Sequence, residues 1–399
     1  MICIAAGTFH DRICFQFTVR IATFISLLFA AFLAGRKALA AGVRVPSEMR
    51  VEVLPQRAPD PKNNPTSPGK VALGRLLFFD PIVSPTKEVS CATCHHPRFG
   101  WGDGRATPIG VGGSGLGPER KFLAVNSLAP LTRNTPTLLN VGFNGLVAGA
   151  LPNPEYAPMF WDARMHGLEN QALAPLRSRE EMRGDGCAEV DAVEQVVRRV
   201  QAIAEYRELF SKAFGQPLNE VVTAEHLTQA IAAFERSLVS EGTPFDRFLL
   251  GDKSALNTEQ QRGLRVFQDA GCTQCHGGPM FTDYKLHFIG TLDDTADGRR
   301  EFRTPTLRNL RDTGPYMHNG SQRTLRDVLI FYEALADAVA ETLDGGDTAK
   351  QPPLDPLLKA LNLNADDFAA LEAFLDSLND DRYDRTVPGR VPSGLPVAQ

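Results

Sequence analysis

Two pentapeptides offer the most specific chemistry in this sequence, Cys91-Ala-Thr-Cys94-His95 and Cys272-Thr-Gln-Cys275-His276. Two thiols separated by two residues can add to the two vinyl groups of one haem, and the histidine that follows is then carried under the iron as its proximal ligand. Two such segments predict two covalently bound haem c groups. The same four thiols could instead hold one tetrahedral zinc ion, a reading that leaves His95 and His276 without a purpose.

The remaining cysteines bear on the compartment. Arg20 precedes an apolar stretch from Ile21 to Ala34, and Ala38-Leu39-Ala40 is a small-x-small site, so residues 1–40 read as a secretory signal and the mature protein as periplasmic. An uncleaved anchor is the competing reading, although the apolar run is shorter than the ~20 residues a bilayer requires. Removing the signal removes Cys3 and Cys14 and leaves Cys187 as a single thiol, expected to be buried rather than reactive. A net charge of -5 with no long basic run excludes the electrostatic footprint of a nucleic-acid binder. No later segment is apolar enough to span a membrane, so the mature chain is not expected to be an integral membrane protein.

The elements that position these motifs are mostly helical. Val43 to Lys70 reads as an extended lead-in, and Lys70 to Ala150 is so rich in Gly, Pro and Asn that it predicts loop laid around a prosthetic group. Apolar residues recur at helical spacing over Asp191–Phe214 and Thr223–Val239, predicting two amphipathic helices. Thr258, with Gln261 three residues on, predicts a capped helix running to Gly271 that delivers the second Cys pair. Another amphipathic helix follows the Asn364 cap. The expectation is a mainly α protein with long loops and two cytochrome c-like haem domains, residues 41–245 and 246–399, in which the two Cys-x-x-Cys-His segments are the only repeat.

Six segments together resemble the bacterial di-haem cytochrome c peroxidases and their relative MauG, over roughly residues 60–385. They are Ser90-Cys-Ala-Thr-Cys-His95, Arg133-Asn-Thr-Pro-Thr-Leu-Leu-Asn140, Phe160-Trp-Asp-Ala-Arg164, Gly271-Cys-Thr-Gln-Cys-His276, Arg303-Thr-Pro-Thr-Leu-Arg-Asn309 and Pro315-Tyr-Met-His-Asn-Gly320. The resemblance implies an enzyme that reacts with hydrogen peroxide at the first haem, while the second stores or relays charge for a protein electron donor or protein substrate. It implies that Trp161 relays electrons between the haems, that Gln171 lies in the distal pocket and that Glu181 is the catalytic glutamate. Peroxide cleavage needs a group that takes a proton from one oxygen and returns it to the other, as a carboxylate does. Glu180 adjoins it, and the assignment depends on Glu181-Met182 matching the family's Glu-Met pair.

Resting peroxidases of the family often carry a distal histidine between the first haem motif and the Arg-Asn-Thr/Ser-Pro segment. This chain has none from Pro97 to Met165, and His96 is too close to His95 to reach the opposite face, so the first haem is expected to be five-coordinate or water-ligated. The position fourteen residues after His318 is Tyr332, where ordinary peroxidases of the family have Met and MauG has Tyr. As ligand of the second haem a phenolate would lower the potential and favour spreading two oxidising equivalents over both haems. Met317 and His318 are rival ligands, and core packing is the alternative for Tyr332. Asn134, with carbonyls of Thr313 and Pro315, matches a calcium site between the haems, although Arg-Asn-Thr-Pro also suits a turn. One departure matters: the surface tryptophan through which MauG oxidises its protein substrate falls on Ala270 here. An insertion-like stretch, Leu146–Pro158, also precedes Trp161. Plain peroxide detoxification, fed by a small cytochrome or copper protein, and non-catalytic electron carriage remain the alternatives.

Overall fold

The computed structural model describes residues 51–124, 128–291, 300–343 and 354–398. The expected signal segment lies outside them. Helices dominate: α1 (Pro68–Phe79), α2 (Cys91–Cys94), α3 (Leu168–Gln171), α4 (Leu173–Arg177), α5 (Ala192–Ala202), α6 (Ala204–Phe214), α7 (Ala224–Arg236), α8 (Pro244–Leu249), α9 (Thr258–Asp269), α10 (Leu325–Leu343) and α11 (Phe368–Asp376). Strand structure among the described residues is limited to three antiparallel pairs of two residues each.

Two expectations need correction, and one is sharpened. The short apolar stretch Val71–Phe79 is the body of α1, capped by Ser67, whose hydroxyl accepts from the Lys70 N–H, with Pro68 in the first turn. The Ser-Pro start signal outweighs the Gly and Pro around it. The predicted Asp191–Phe214 helix breaks at Ile203, whose extended ψ of 118° ends α5 before α6 begins. The cap of α9 is Asn257 rather than Thr258, and Gln260 closes the capping box: the Asn257 N–H donates to Gln260 Oε1 at 3.0 Å and the Gln260 N–H to Asn257 Oδ1 at 2.9 Å.

The repeat is also larger than the two haem motifs. α1 crosses α7, and α9 crosses α11, each crossing built on one glycine: a Cβ on Gly74 would stand 1.9 Å from the Ala230 carbonyl oxygen, and one on Gly263 1.8 Å from that of Ala370. Only glycine allows backbones to approach so closely. Four residues beyond each alanine a phenylalanine closes the contact, Phe234 against Phe78 at 5.2 Å and Phe374 against Phe267 at 5.1 Å. The repeated helix reads Ala-Ile-Ala-Ala-Phe-Glu-Arg-Ser-Leu over 230–238 and Ala-Leu-Glu-Ala-Phe-Leu-Asp-Ser-Leu over 370–378.

A core gathers around each crossing, one with Leu73, Phe78, Trp101, Tyr206, Phe210 and Phe234, the other with Phe245, Phe267, Phe281, Leu371 and Phe374. The chain ends exchange cores, Val51 packing on the second and Tyr383 and Val391 in the first. Ser240 ties the halves together: its hydroxyl accepts from Asn140 Nδ2 at 2.8 Å and from Asn309 Nδ2. Asn140 and Asn309 end the two related Thr-Pro-Thr segments in left-handed conformation, a geometry asparagine tolerates better than most residues.

Candidate functional site: a cavity reached by both Cys-x-x-Cys-His segments

One cavity of about 690 Å³ is lined by Cys91, Cys94 and His95 and equally by Cys272, Cys275 and His276. Each motif follows from its local capping. Ser90 and Thr93 form a capping box on α2, the Ser90 N–H donating to Thr93 Oγ1 at 3.0 Å, and α9 ends at Ala270 so that Gly271, at φ 84°, turns the chain into a 3₁₀ turn over Cys272–Gln274.

The donor chemistry fits covalent haem. All four thiols are unbridged, and burial raises those of Cys91, Cys94 and Cys272, the last two to about 12. His95 Nδ1–H donates to the Trp101 carbonyl at 3.2 Å, and His276 Nδ1–H to that of Phe281 at 2.9 Å, which leaves Nε2 of each ring to bind iron. Burial lowers both imidazoles, His95 to about 4, so they are neutral as ligation requires. Trp101 and Phe281 present these carbonyls from left-handed conformations, at φ 60° and 54°. The zinc alternative fails, because the four thiols do not gather. Among the described residues the His/Cys/Asp/Glu group that comes within metal-binding reach is Cys275, Asp283 and His287.

Gln171, at the end of α3, and Glu181 both line this cavity. Glu181 sits in a π turn over Arg179–Arg183 whose start is capped by Ser178. The Val111 N–H donates to the Glu181 carbonyl at 3.2 Å, and Ser84 Oγ donates to that of Met182 at 2.7 Å. Gly110 lets the turn close, since a Cβ there would stand 2.2 Å from the Glu180 oxygen. Burial pushes the Glu181 carboxyl up, Arg164 pulling it down and Glu180 pushing it further up. Glu180 itself points to Arg179, with 3.7 Å between Oε1 and Nη1, and is not in the cavity wall. The structure thus separates two glutamates that sequence alone left adjacent.

Trp161 is held between the two related segments. Its Nε1–H donates to the Asn134 carbonyl at 2.8 Å, and its own carbonyl accepts the Arg303 N–H at 2.6 Å. Phe160 and Ala163 turn the chain around it at φ 65° and 54°. Tyr332 projects from α10 into the cavity beside Cys275 and Cys272, and burial, followed by those two thiols, pushes its phenol up, so a phenolate there requires a cation. Met317 and His318 reach the same cavity, His318 with its ring flat on Phe302 at 3.6 Å. Asn134, Thr313 and Pro315 line it too. Asn134 Nδ2 donates to the Arg105 carbonyl at 2.8 Å, which leaves Oδ1 as the atom a cation would use.

His96 is buried outside the cavity wall, where its Nδ1 accepts from the Arg98 N–H at 3.2 Å. Ala270 is buried, and its carbonyl accepts from the Asn362 N–H. Cys187 is half-buried rather than fully buried. Leu151, in the insertion-like stretch, is almost fully exposed. Sequence reasoning missed the ring-orienting carbonyls of Trp101 and Phe281, and it missed Glu235, a buried carboxyl in the cavity wall. The repeated Ala-x-x-Ala-Phe-x-x-Ser-Leu pattern was the available signal for the last.

The family model of the di-haem cytochrome c peroxidases matches residues 68–254. The chain is 36% identical over 347 residues to the methylamine utilization protein MauG of Methylorubrum extorquens, which covers 84% of this chain and 85% of that protein. It is 31% identical over 368 residues to the cytochrome c551 peroxidase of Nitrosomonas europaea, covering 88% and 90%. Among solved structures, a MauG-like protein associated with microbial copper homeostasis is similar with a TM-score of 0.63 and 26% identity, over 85% of this chain and 96% of that one. The diheme peroxidase BthA from Burkholderia thailandensis shares the fold with a TM-score of 0.59 at 21% identity, over 88% and 98%.

Proposed function

The chain belongs to the di-haem cytochrome c peroxidase and MauG family, and from that premise we propose that it reduces hydrogen peroxide at a first haem held by Cys91, Cys94 and His95, while a second, held by Cys272, Cys275 and His276, stores or relays charge for a protein partner. It is a haem-dependent oxidoreductase. The two haems fall to residues 41–245 and 246–399, and the mature protein is periplasmic. Among the described residues no helix is long and apolar enough to cross a membrane.

The observation that carries this reading is Glu181, a half-buried carboxyl on the wall of the cavity that His95 enters. Bound haem supplies the iron that exchanges electrons with peroxide and with the partner. Glu181 takes the proton from one peroxide oxygen and returns it to the other. Gln171 orients the peroxide through its side-chain amide. Trp161, fixed by Asn134 and Arg303, carries electrons between the halves, and Asn134, Thr313 and Pro315 would hold a calcium ion, which would stiffen that junction.

Tyr332 supports the MauG-like branch, in which it ligates the second haem and the oxidised protein attacks a partner protein. Ala270, buried where a surface tryptophan would stand, supports the other branch, peroxide removal fed by a small redox protein. Steady-state peroxide turnover with a reduced donor tests the enzyme reading; a rate no higher than that of free haem refutes it in favour of a plain electron carrier. Stoichiometric peroxide followed by near-infrared spectroscopy separates the branches, because charge shared between two haems absorbs there. Electron paramagnetic resonance of the resting protein must show high-spin ferric haem if the first site is open.

A further inference from the structure

α7 brings a further carboxyl group to the cavity, and none of the steps above uses it. Glu235 stands one helical turn after Ile231, and both side chains line the wall. It is 5% exposed, and its Oε2 has no hydrogen-bond partner among the described residues. The adjacent cation is committed elsewhere: Arg236 Nη2 donates to Glu169 Oε1 at 2.6 Å. Asn64 Nδ2 also donates to Glu169, at 2.8 Å, while Asn64 Oδ1 accepts from Lys70 Nζ of α1 at 2.8 Å. Arg75, also on α1, lies over the Phe234 ring and is ion-paired with Asp384. The charges that act on Glu235 are therefore the paired Arg236 and the carboxylate of Glu169, and the Cys91 thiol of α2 lies within reach of its own charge. Burial first, and the Glu169 charge second, push its carboxyl up to about 8 against the pull of Arg236, so it is a neutral acid at pH 7.

The repeat tests whether the helix pair needs a carboxyl here. Aligning Ala230–Leu238 with Ala370–Leu378 puts Glu235 on Leu375, which is likewise buried and likewise lines the cavity. A leucine serves the same packing position without burying a polar group, which is costly when no partner receives it. The carboxyl is thus present only in the half that carries Gln171 and Glu181.

We propose that Glu235 is the proton donor that feeds the first haem cavity during peroxide reduction. The proposal rests on the peroxidase reading. Converting one peroxide to two waters breaks the O–O bond and takes two electrons from the donor protein and two protons. Glu181 moves a proton from one oxygen to the other and supplies none in net, so both must arrive from outside the cavity. Glu235 delivers both in turn, breaking its O–H bond once for each and being reprotonated in between. The carboxylate left behind, poorly solvated, takes a proton back from solvent.

The test uses the holoenzyme with both haems attached. Glu235→Gln keeps size and polarity but holds no transferable proton. We expect kcat to fall roughly 10²-fold with KM for peroxide unchanged. The alkaline limb of the wild-type pH profile, where activity is lost as Glu235 ionises, is expected to vanish. Infrared spectroscopy of the resting protein is the second readout: wild type should show a protonated-carboxyl C=O band that titrates near pH 8 and is absent from the variant. If Glu235→Gln does not fold, Glu235→Leu takes its place, with the residue the second half uses. Wild-type turnover with an unchanged kcat and pH profile in the variant overturns the donor role alone, as does the absence of that band from wild type. A wild type without peroxidase turnover overturns the peroxidase reading itself.

Discussion

The two halves share a framework and differ in how its wall is finished. In both, a glycine-bearing helix crosses an Ala-x-x-x-Phe helix, a left-handed aromatic residue presents the carbonyl that orients the histidine, and a Thr-Pro-Thr-x-x-Asn segment closes the ring pocket. The first half then adds Glu181 and Glu235, two carboxyl groups able to hold or move protons, and the Gln171 amide. The second adds three candidate iron ligands, Met317, His318 and Tyr332, with Leu371 and Leu375 at the positions that Ile231 and Glu235 hold in the first. On the proposed reading, one scaffold serves proton-coupled chemistry in the half that carries Glu181 and Glu235, and electron storage in the half that carries the candidate iron ligands instead.

The sharpest way to break this contrast is to remove the base. Glu181→Gln should lower peroxide turnover by about 10³-fold, within the range for general acid–base groups, with haem absorbance unchanged. A loss below tenfold would mean that the polar wall is not the reactive one. Because burial raises the Glu181 carboxyl and the ionised form is the base, wild-type activity should fail as pH drops through a value above the ordinary carboxylate range of about 4.3. A profile flat down to pH 4 would oppose the assignment.

The shared framework is tested by its glycines. Gly74→Ala and Gly263→Ala each push a methyl into a carbonyl oxygen closer than 2 Å, at 1.9 and 1.8 Å. Each should cost about 3 kcal/mol or more in thermal or urea unfolding. Equal losses support one scaffold used twice, whereas a neutral Gly263→Ala would mean the second crossing tolerates separation.

How much of this was legible beforehand follows the physics of each signal. The haem motifs were plain because cysteine and histidine at fixed spacing have few other uses. α7 and α11 carry apolar periodicity and α9 a capping signal, whereas α1 shows in the sequence only as a short apolar stretch within a region rich in Gly, Pro and Asn. Glu181 could be named only by resemblance: a π turn has no periodicity, and its burial depends on Gly110, about seventy residues earlier. Glu235 reads as an ordinary helix residue beside an arginine, and its lack of a partner emerges only when Arg236 is seen to bind Glu169.

At the second site, Tyr332→Met should raise one haem potential by on the order of a tenth of a volt, read by spectroelectrochemical titration. It should also abolish any long-lived two-electron-oxidised state. The other potential should hold, since the first half contributes no residue to that bond. An unchanged titration would remove Tyr332 as a ligand and leave Met317 or His318, which share its cavity.

The smallest effect comes from exchanging the residues that distinguish the two repeated helices. Leu375→Glu places a carboxyl among Phe267, Leu371 and Phe374 and should destabilise the protein by about 1–2 kcal/mol at neutral pH. Glu235→Leu should do the reverse, and its pH dependence gives the sign. The Glu235 carboxyl is raised in the folded state, to about 8. Its contribution to stability is therefore complete below the unfolded value of about 4.3 and is lost as pH rises through about 8, with a limiting slope of about 1.4 kcal/mol per pH unit. Urea unfolding of wild type and Glu235→Leu at pH 5 and pH 9 should show the leucine variant gaining relative stability at the higher pH. A constant difference would mean that Glu235 does not titrate with folding, and the polar character of the first wall would then rest on Gln171 and Glu181 alone.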